Sequence, residues 1–360
     1  MHNKGHRLTP SRKPDRVEKS RAILYQRSAN SYQHSRHNRL QLGAGRVTTV
    51  AQLRDAGNYR VPTACRRTGS ADRRVVLMLA ACCLMCNPAE VIGPPPSDDR
   101  LIAFSSDSNS VGGLSIFTMH ADGSRKTRIT QSGSFDQFPI WSPGGDSIAF
   151  DSDRVDGIPR VWVMAADGSN AHPIAVGYYP RWSPSGTQLL FTAKTDNGIY
   201  AVFVANPDGS DQHRLTANPL GEVRAAWSPD GRRIVFSAYP EGTMNLYVVN
   251  ADGSGQRQLT NTTGFSDEAA WSPDGKYIAF THGPADDLGA IHIIKADGGD
   301  DRTLSLPGCA GAAWAPDSKD LAFSCANDSK PRIYRMRLDG SGRYPLTSPD
   351  FLSVGAAWKP

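Results

Sequence analysis

The loop THGPADDLGAIH gathers His282, Asp286, Asp287 and His292 within eleven residues. Two imidazoles and two carboxylates suffice to hold a divalent metal, provided that all four converge on one point. A second acidic run, DSDRVDG, sets Asp151, Asp153 and Asp156 as in the first half of a calcium loop. It lacks the distal bidentate glutamate, and Asx-turn chemistry accounts for the same residues. The expectation is therefore no cofactor, with calcium at this run and a metal at His282, Asp286, Asp287 and His292 left open as alternatives. His120, His172 and His213 lie in strand or turn positions and read as structural or solvated. Cys83 and Cys86 form a C-x-x-C without a second pair, so redox or zinc chemistry has little to build on. Beyond residue 100 the chain contains no G-x-S-x-G, H-E-x-x-H, P-loop or G-x-G-x-x-G, and no catalytic residue is assigned.

Charge divides the chain. The whole carries +5, but residues 1–74 carry +13 and the remainder −8. The acidic remainder gives no basic patch for nucleic acid, which needs clustered Lys and Arg against phosphate. Residues 1–72 are rich in Arg, His, Ser, Gln and Asn and short of apolar runs, as in a basic disordered extension or one read from a start set too early. Residues 73–100 begin with two arginines and an apolar run from Val75 to about Met85, too short to span a bilayer and shaped like a secretory signal. Leu79-Ala80-Ala81-Cys82 resembles a bacterial lipobox, whose cysteine is lipidated and becomes the new N-terminus. The expected location is the periplasm or cell surface, lipid-anchored at Cys82.

The remaining residues, 101–360, must position any site, and they repeat. Tryptophans of a W-x-P motif fall at Trp141, Trp182, Trp227, Trp271, Trp314 and Trp358, a mean period of 43.4 residues. Asp-Gly pairs at Asp122, Asp167, Asp208, Asp252, Asp297 and Asp339 keep the same period in a second phase. Repeats of this length mean propellers or solenoids. Each unit reads as four short strands: the Trp segment, an I-A-F segment, an L-Y-V-V segment and an R-Q-L-T segment, joined by Pro-Asp-Gly and Ala-Asp-Gly-Ser turns. The middle two are apolar on consecutive residues, as in strands covered on both faces. The predicted class is all-β, a six-bladed β-propeller of four-stranded antiparallel blades. The region opens on LIAF without its Trp strand and closes on AAWKP without its second strand. Pairing the two ends closes the ring and hides both edges.

The repeat x-x-W-S-P-D-G-x-x-I-A-F … I-Y-V-x-N-A-D-G-S-x-x-R-x-L-T resembles the TolB-like propeller repeat, seen also in the propellers of tricorn-type and dipeptidyl-peptidase-type proteases. TolB itself has an α/β domain before its propeller and the peptidases carry a hydrolase domain, whereas only a short linker separates Cys82 from the first strand here. The resemblance implies a fold and an envelope compartment and leaves the partner open.

In a four-stranded meander, alternate connections share a face. The Pro-Asp-Gly and Ala-Asp-Gly-Ser turns are short and uniform. The second-to-third loops and the links between blades share the other face and vary widely, as binding loops do. Asp136, Tyr179, Arg224, Asp267 and Glu268 are read as lying just before innermost strands, and Asp153, Lys194, Glu241 and Asp286 as following second strands. All are assigned to one channel mouth, where a monomeric scaffold would receive an envelope protein or peptide. The alternative is a metal-assisted lyase or hydrolase acting on a saccharide or peptide at that mouth. Folding the hairpin about Pro316–Lys319 pairs residues summing to 634 or 635, which sets Cys309 opposite Cys325 within disulfide reach; two buried thiols are the alternative.

Overall fold

The computed structural model describes residues 97–108, 112–131, 133–216, 221–239, 243–284, 289–305, 307–326 and 330–360. The extension, the signal segment with Cys82, and Glu241, Asp286 and Asp287 lie outside them. Among the described residues there are twenty-four strands and no helix.

Six four-stranded antiparallel sheets form the ring. Blade 1 contains β1 (Leu101–Ser106), β2 (Ser115–His120) and β3 (Thr127–Arg128). Blade 2 is β4 (Asp136–Trp141), β5 (Ser147–Ser152), β6 (Arg160–Ala165) and β7 (His172–Val176). Blade 3 is β8 (Tyr178–Trp182), β9 (Leu189–Lys194), β10 (Tyr200–Ala205) and β11 (His213–Arg214). In blade 4 come β12 (Glu222–Trp227), β13 (Arg233–Ala238), β14 (Asn245–Asn250) and β15 (Arg257–Gln258). Blade 5 has β16 (Phe265–Trp271), β17 (Tyr277–Gly283), β18 (Ala290–Lys295) and β19 (Arg302–Thr303). Blade 6 ends with β20 (Cys309–Trp314), β21 (Asp320–Cys325), β22 (Arg332–Arg337) and β23 (Tyr344–Pro345). The last strand, β24 (Ser353–Trp358), returns to blade 1 and pairs with β1, Ile102 opposite Trp358. The ring is closed by its own C-terminus.

Each second strand buries one phenylalanine: Phe104, Phe150, Phe191, Phe236, Phe280 and Phe323 are all at most 2% exposed. Their strands are sandwiched between neighbouring blades, so consecutive residues are apolar and the core is a series of inter-blade layers. One such layer joins Ala103, Ile116 and Ala357 of blade 1 to Ile148, Phe150 and Trp162 of blade 2. Three of the six innermost tryptophans latch successive blades through their indole N–H. Trp182, Trp314 and Trp358 donate their indole N–H to the carbonyls of Ile140, Ala270 and Ala313 in the preceding blade. Outermost strands are two residues long except β7, which limits exposed sheet edge.

The Asp-Gly turns all use one device. The Asp side chain accepts the backbone N–H two residues on, as Asp122 does from Ser124 at 2.8 Å and Asp339 from Ser341 at 2.9 Å. Gly123 follows at φ 83°, a conformation open to glycine at no cost. At the seam, Arg100 and Arg335 both pair with Asp98 and Asp320 and lie over the Trp358 ring at 4.8 and 5.6 Å.

Candidate channel-mouth site

Every innermost strand carries the same irregularity. Register against the second strand slips by one residue, so that two residues face the buried phenylalanine, a β-bulge. The first residue of each pair is left-handed: Phe138 (φ 51°), Tyr179 (57°), Arg224 (52°), Glu268 (57°), Gly311 (68°) and Gly355 (65°). Each lies three residues before its tryptophan. Side chains at these positions are thrown toward the channel, near the end where the variable loops arrive.

Four of the six form a continuous arc across blades 2 to 5. Phe138 meets Tyr179 edge-on at 4.9 Å between ring centroids. The Arg224 guanidinium stacks over the Tyr179 ring at 4.5 Å and donates to its hydroxyl at 3.1 Å. Arg224 also pairs with Asp267 and, at 3.4 Å, with Glu268. Burial opposes its charge, but Asp267, Tyr179 and Glu268 outweigh it and hold the guanidinium well above its ordinary pKa. Burial pushes the Tyr179 and Tyr239 phenols up, with Tyr239 close enough to feel the charges of Asp267 and Arg224. The arc is interrupted at blades 6 and 1, where the bulge residues are glycines. An added Cβ at Gly311 would find its nearest neighbour at 3.6 Å, the Glu268 carboxylate.

The backbone of the arc is held from the preceding blade. Both Asp151 carboxylate oxygens accept the Tyr179 N–H, at 2.9 and 3.0 Å. Thr192 and Thr281 accept the Arg224 and Gly311 N–H groups at 3.1 and 3.2 Å. Asp151 is therefore engaged in the ring, Asp153 accepts the Phe135 N–H, and Asp156 pairs with Arg160. The three carboxylates of DSDRVDG serve three separate contacts.

Tyr179, Arg224, Asp267 and Glu268 are brought together at the mouth. Asp136 is not a surface group: it is fully buried, accepts from Ser152 at 2.6 Å and pairs with Arg154 at 3.0 Å. Asp267 is likewise buried against Arg224. Both were expected to be surface charges, and both are structural ion-pair partners. Lys194 is exposed, with its ammonium 5.2 Å from the Tyr200 ring. His282 and His292 lie with ring centroids 4.9 Å apart, but their nitrogens face Phe265, Ser266, Asp301 and Thr303. Among the described residues, no three His, Cys, Asp or Glu side chains are grouped to hold a metal. Cys309 and Cys325 face one another in register and are bonded, with Cα atoms 4.0 Å apart.

Sequence reasoning passed over Phe138 and Arg181. Aligning the repeats on tryptophan exposes both. Position −3 runs Phe, Tyr, Arg, Glu, Gly, Gly, and position −1 runs Ile140, Arg181, Ala226, Ala270, Ala313, Ala357.

The chain matches the TolB beta propeller domain over residues 94–222 and 176–360. Among solved structures it is similar to TolB from Acinetobacter baumannii, at 20% identity and TM-score 0.66, over 75% of this chain and 69% of that one. A putative TolB from Agrobacterium tumefaciens matches at 17% identity and TM-score 0.57, over 74% and 99%. A chain of a nidogen/laminin complex matches at 11% identity and TM-score 0.57, over 72% and 98%. At these identities the likeness is one of fold.

Proposed function

The chain belongs to the TolB beta propeller domain family, and from that premise we propose that it is a binding module of the cell envelope which receives a protein or peptide partner at the variable-loop mouth of its channel. The observation that carries this reading is the arc. A left-handed conformation costs a non-glycine residue about 1–2 kcal/mol, and blades 6 and 1 make the same bulge with glycine. Four consecutive blades nevertheless place large side chains there. Strain retained where the fold has a cheaper solution points to use of the side chains themselves. The propeller holds them rigidly, and the loops around them vary in length and composition, as recognition surfaces do. The lipobox-like Leu79–Cys82 supports export and a lipid anchor.

A photo-crosslinking amino acid placed at Lys194 or Asp153, beside the mouth, tests the reading against one placed at Lys276 or Lys319, beside the opposite turns. In cells, discrete adducts with an envelope protein are expected from the first pair and not from the second. Adducts confined to the Lys276 and Lys319 face would refute it.

A further inference from the structure

Arg181 stands in β8 at a position where the other five innermost strands carry Ile140, Ala226, Ala270, Ala313 and Ala357. The fold therefore makes no demand for a cation there. Its guanidinium is partly buried, and burial lowers its pKa. β8 is the innermost strand of blade 3, and the Arg181 charge couples to Asp151, Glu268 and Arg224, which belong to blades 2, 5 and 4. Of five N–H donors, its one hydrogen bond among the described residues goes to the neighbouring Pro180 carbonyl at 2.9 Å. No carboxylate of the described residues lies within ion-pair distance of it. The nearby acids are occupied: Asp267 and Glu268 by Arg224, and Asp151 by the Tyr179 N–H. A partly buried guanidinium with a single hydrogen bond keeps most of its donors free for a ligand to complete. Across the ring from Tyr179 and Arg224 the bulge positions are Gly311 and Gly355, where an added Cβ would meet the Glu268 carboxylate at 3.6 Å and Phe138 at 3.4 Å.

We propose that Arg181 is the anchor of a carboxylate-binding subsite at the base of the channel mouth. A carboxylate fits the planar fork of a single arginine with two parallel hydrogen bonds. A phosphate dianion fits less well, because Arg224 is already neutralised and Glu268 stands close by. The inference rests on the channel-mouth reading above and gives its ligand a chemistry: a peptide presenting either a C-terminal carboxylate or an acidic side chain.

N-acetyl-phenylalanine and N-acetyl-phenylalaninamide, followed by ligand-observed NMR on the full chain, compare a terminal carboxylate with its neutral twin. N-acetyl-aspartamide (side-chain carboxylate) and N-acetyl-asparaginamide do the same for a side chain. At least one carboxylate of the two pairs is expected to bind, its amide about tenfold or more weaker. Arg181→Met should abolish that difference while leaving the melting temperature equal or higher, since it removes an uncompensated cation. Equal binding of acid and amide, tighter binding of inorganic phosphate, or wild-type affinity in Arg181→Met would each overturn the proposal. The crosslinking outcome does not depend on these probes, so the subsite and the binding face can fail separately.

Discussion

Asp151 occupies a slot that the other blades fill with hydroxyls: Ser105, Thr192, Ser237, Thr281 and Ser324, each following the buried phenylalanine. In three blades the occupant accepts the bulge N–H of the next blade, so the slot needs an acceptor and not a charge. Burial pushes the Asp151 carboxyl up to about 8, against an ordinary 3.8, with the Tyr179 N–H and the charges of Arg181 and Arg224 only partly opposing it. The sign follows. Between about pH 4 and about pH 8 the folded state holds a proton that the unfolded chain has released, so stability falls as pH rises through that window and is level above it. Buried Glu222, pushed up to about 7, adds a slope of the same sign. Asp151→Asn keeps the acceptor and loses the titration. It should leave stability nearly unchanged at about pH 5 and gain about 2 kcal/mol or more on wild type at about pH 8.5, since a tenfold change in proton affinity is worth about 1.4 kcal/mol. Urea midpoints of the two proteins at both pH values measure this, and parallel behaviour would refute it.

Blades 2 to 5 each set two side chains against one another across the bulge, and blade 2 uses a phenylalanine for both. Phe150 is fully buried in an inter-blade layer, whereas Phe138 is partly exposed at φ 51°. Phe150→Ala should cost about 3–5 kcal/mol, the usual loss for a large core aromatic. Phe138→Gly should change stability by no more than about 1 kcal/mol, because relief of the left-handed strain offsets the lost contact with Tyr179. Chemical denaturation of the two variants separates the roles, and equal losses would place Phe138 in the core. The same geometry explains what the sequence disclosed. Period, turn chemistry and buried second strands are local patterns, so strand number, blade number and closure could be read directly. The expected hairpin sum of 634 or 635 conceals the bulge: Cys309 and Cys325 lie on one side of it at 634, Trp314 and Leu321 on the other at 635. The one-residue slip leaves the apolar pattern intact and so escapes it. Asp136 and Asp267 read as channel-mouth charges because their partners reach them only on folding, Arg154 across a hairpin of the same blade and Arg224 from the neighbouring blade. Arg181 escaped notice because its signal is contrast with five other repeats, not membership of a charged run.

At the scale of the whole molecule the ring depends on one strand. β24 completes blade 1 and also supplies Trp358, Ala356 and part of the layer shared with Ala315, Ala322 and Ile333 of blade 6. Its indole donates to Ala313 O, and its ring lies beneath the Arg100 and Arg335 guanidiniums. Val354, Ala357 and Trp358 are all at most 5% exposed. Losing a buried tryptophan alone costs about 3–5 kcal/mol, which is comparable to the 5–15 kcal/mol that separates most folded proteins from unfolding. Deletion would further expose the inner edge of β1, an unpaired apolar strand and a template for aggregation. A chain ending at Leu352 should therefore melt at least about 10 °C lower, taking about 2–4 °C per kcal/mol for a domain of this size, and should give little soluble protein. The cause can be separated from a general effect of truncation by adding the missing strand in trans. A peptide spanning Ser353–Pro360, in excess over the truncated chain, binds only the folded ring and should raise its melting temperature in a concentration-dependent way. The same peptide with Trp358→Ala should not. A truncated chain that melts like the full one, or a rescue indifferent to Trp358, would mean that the five blades preceding the seam hold the propeller without their closing strand.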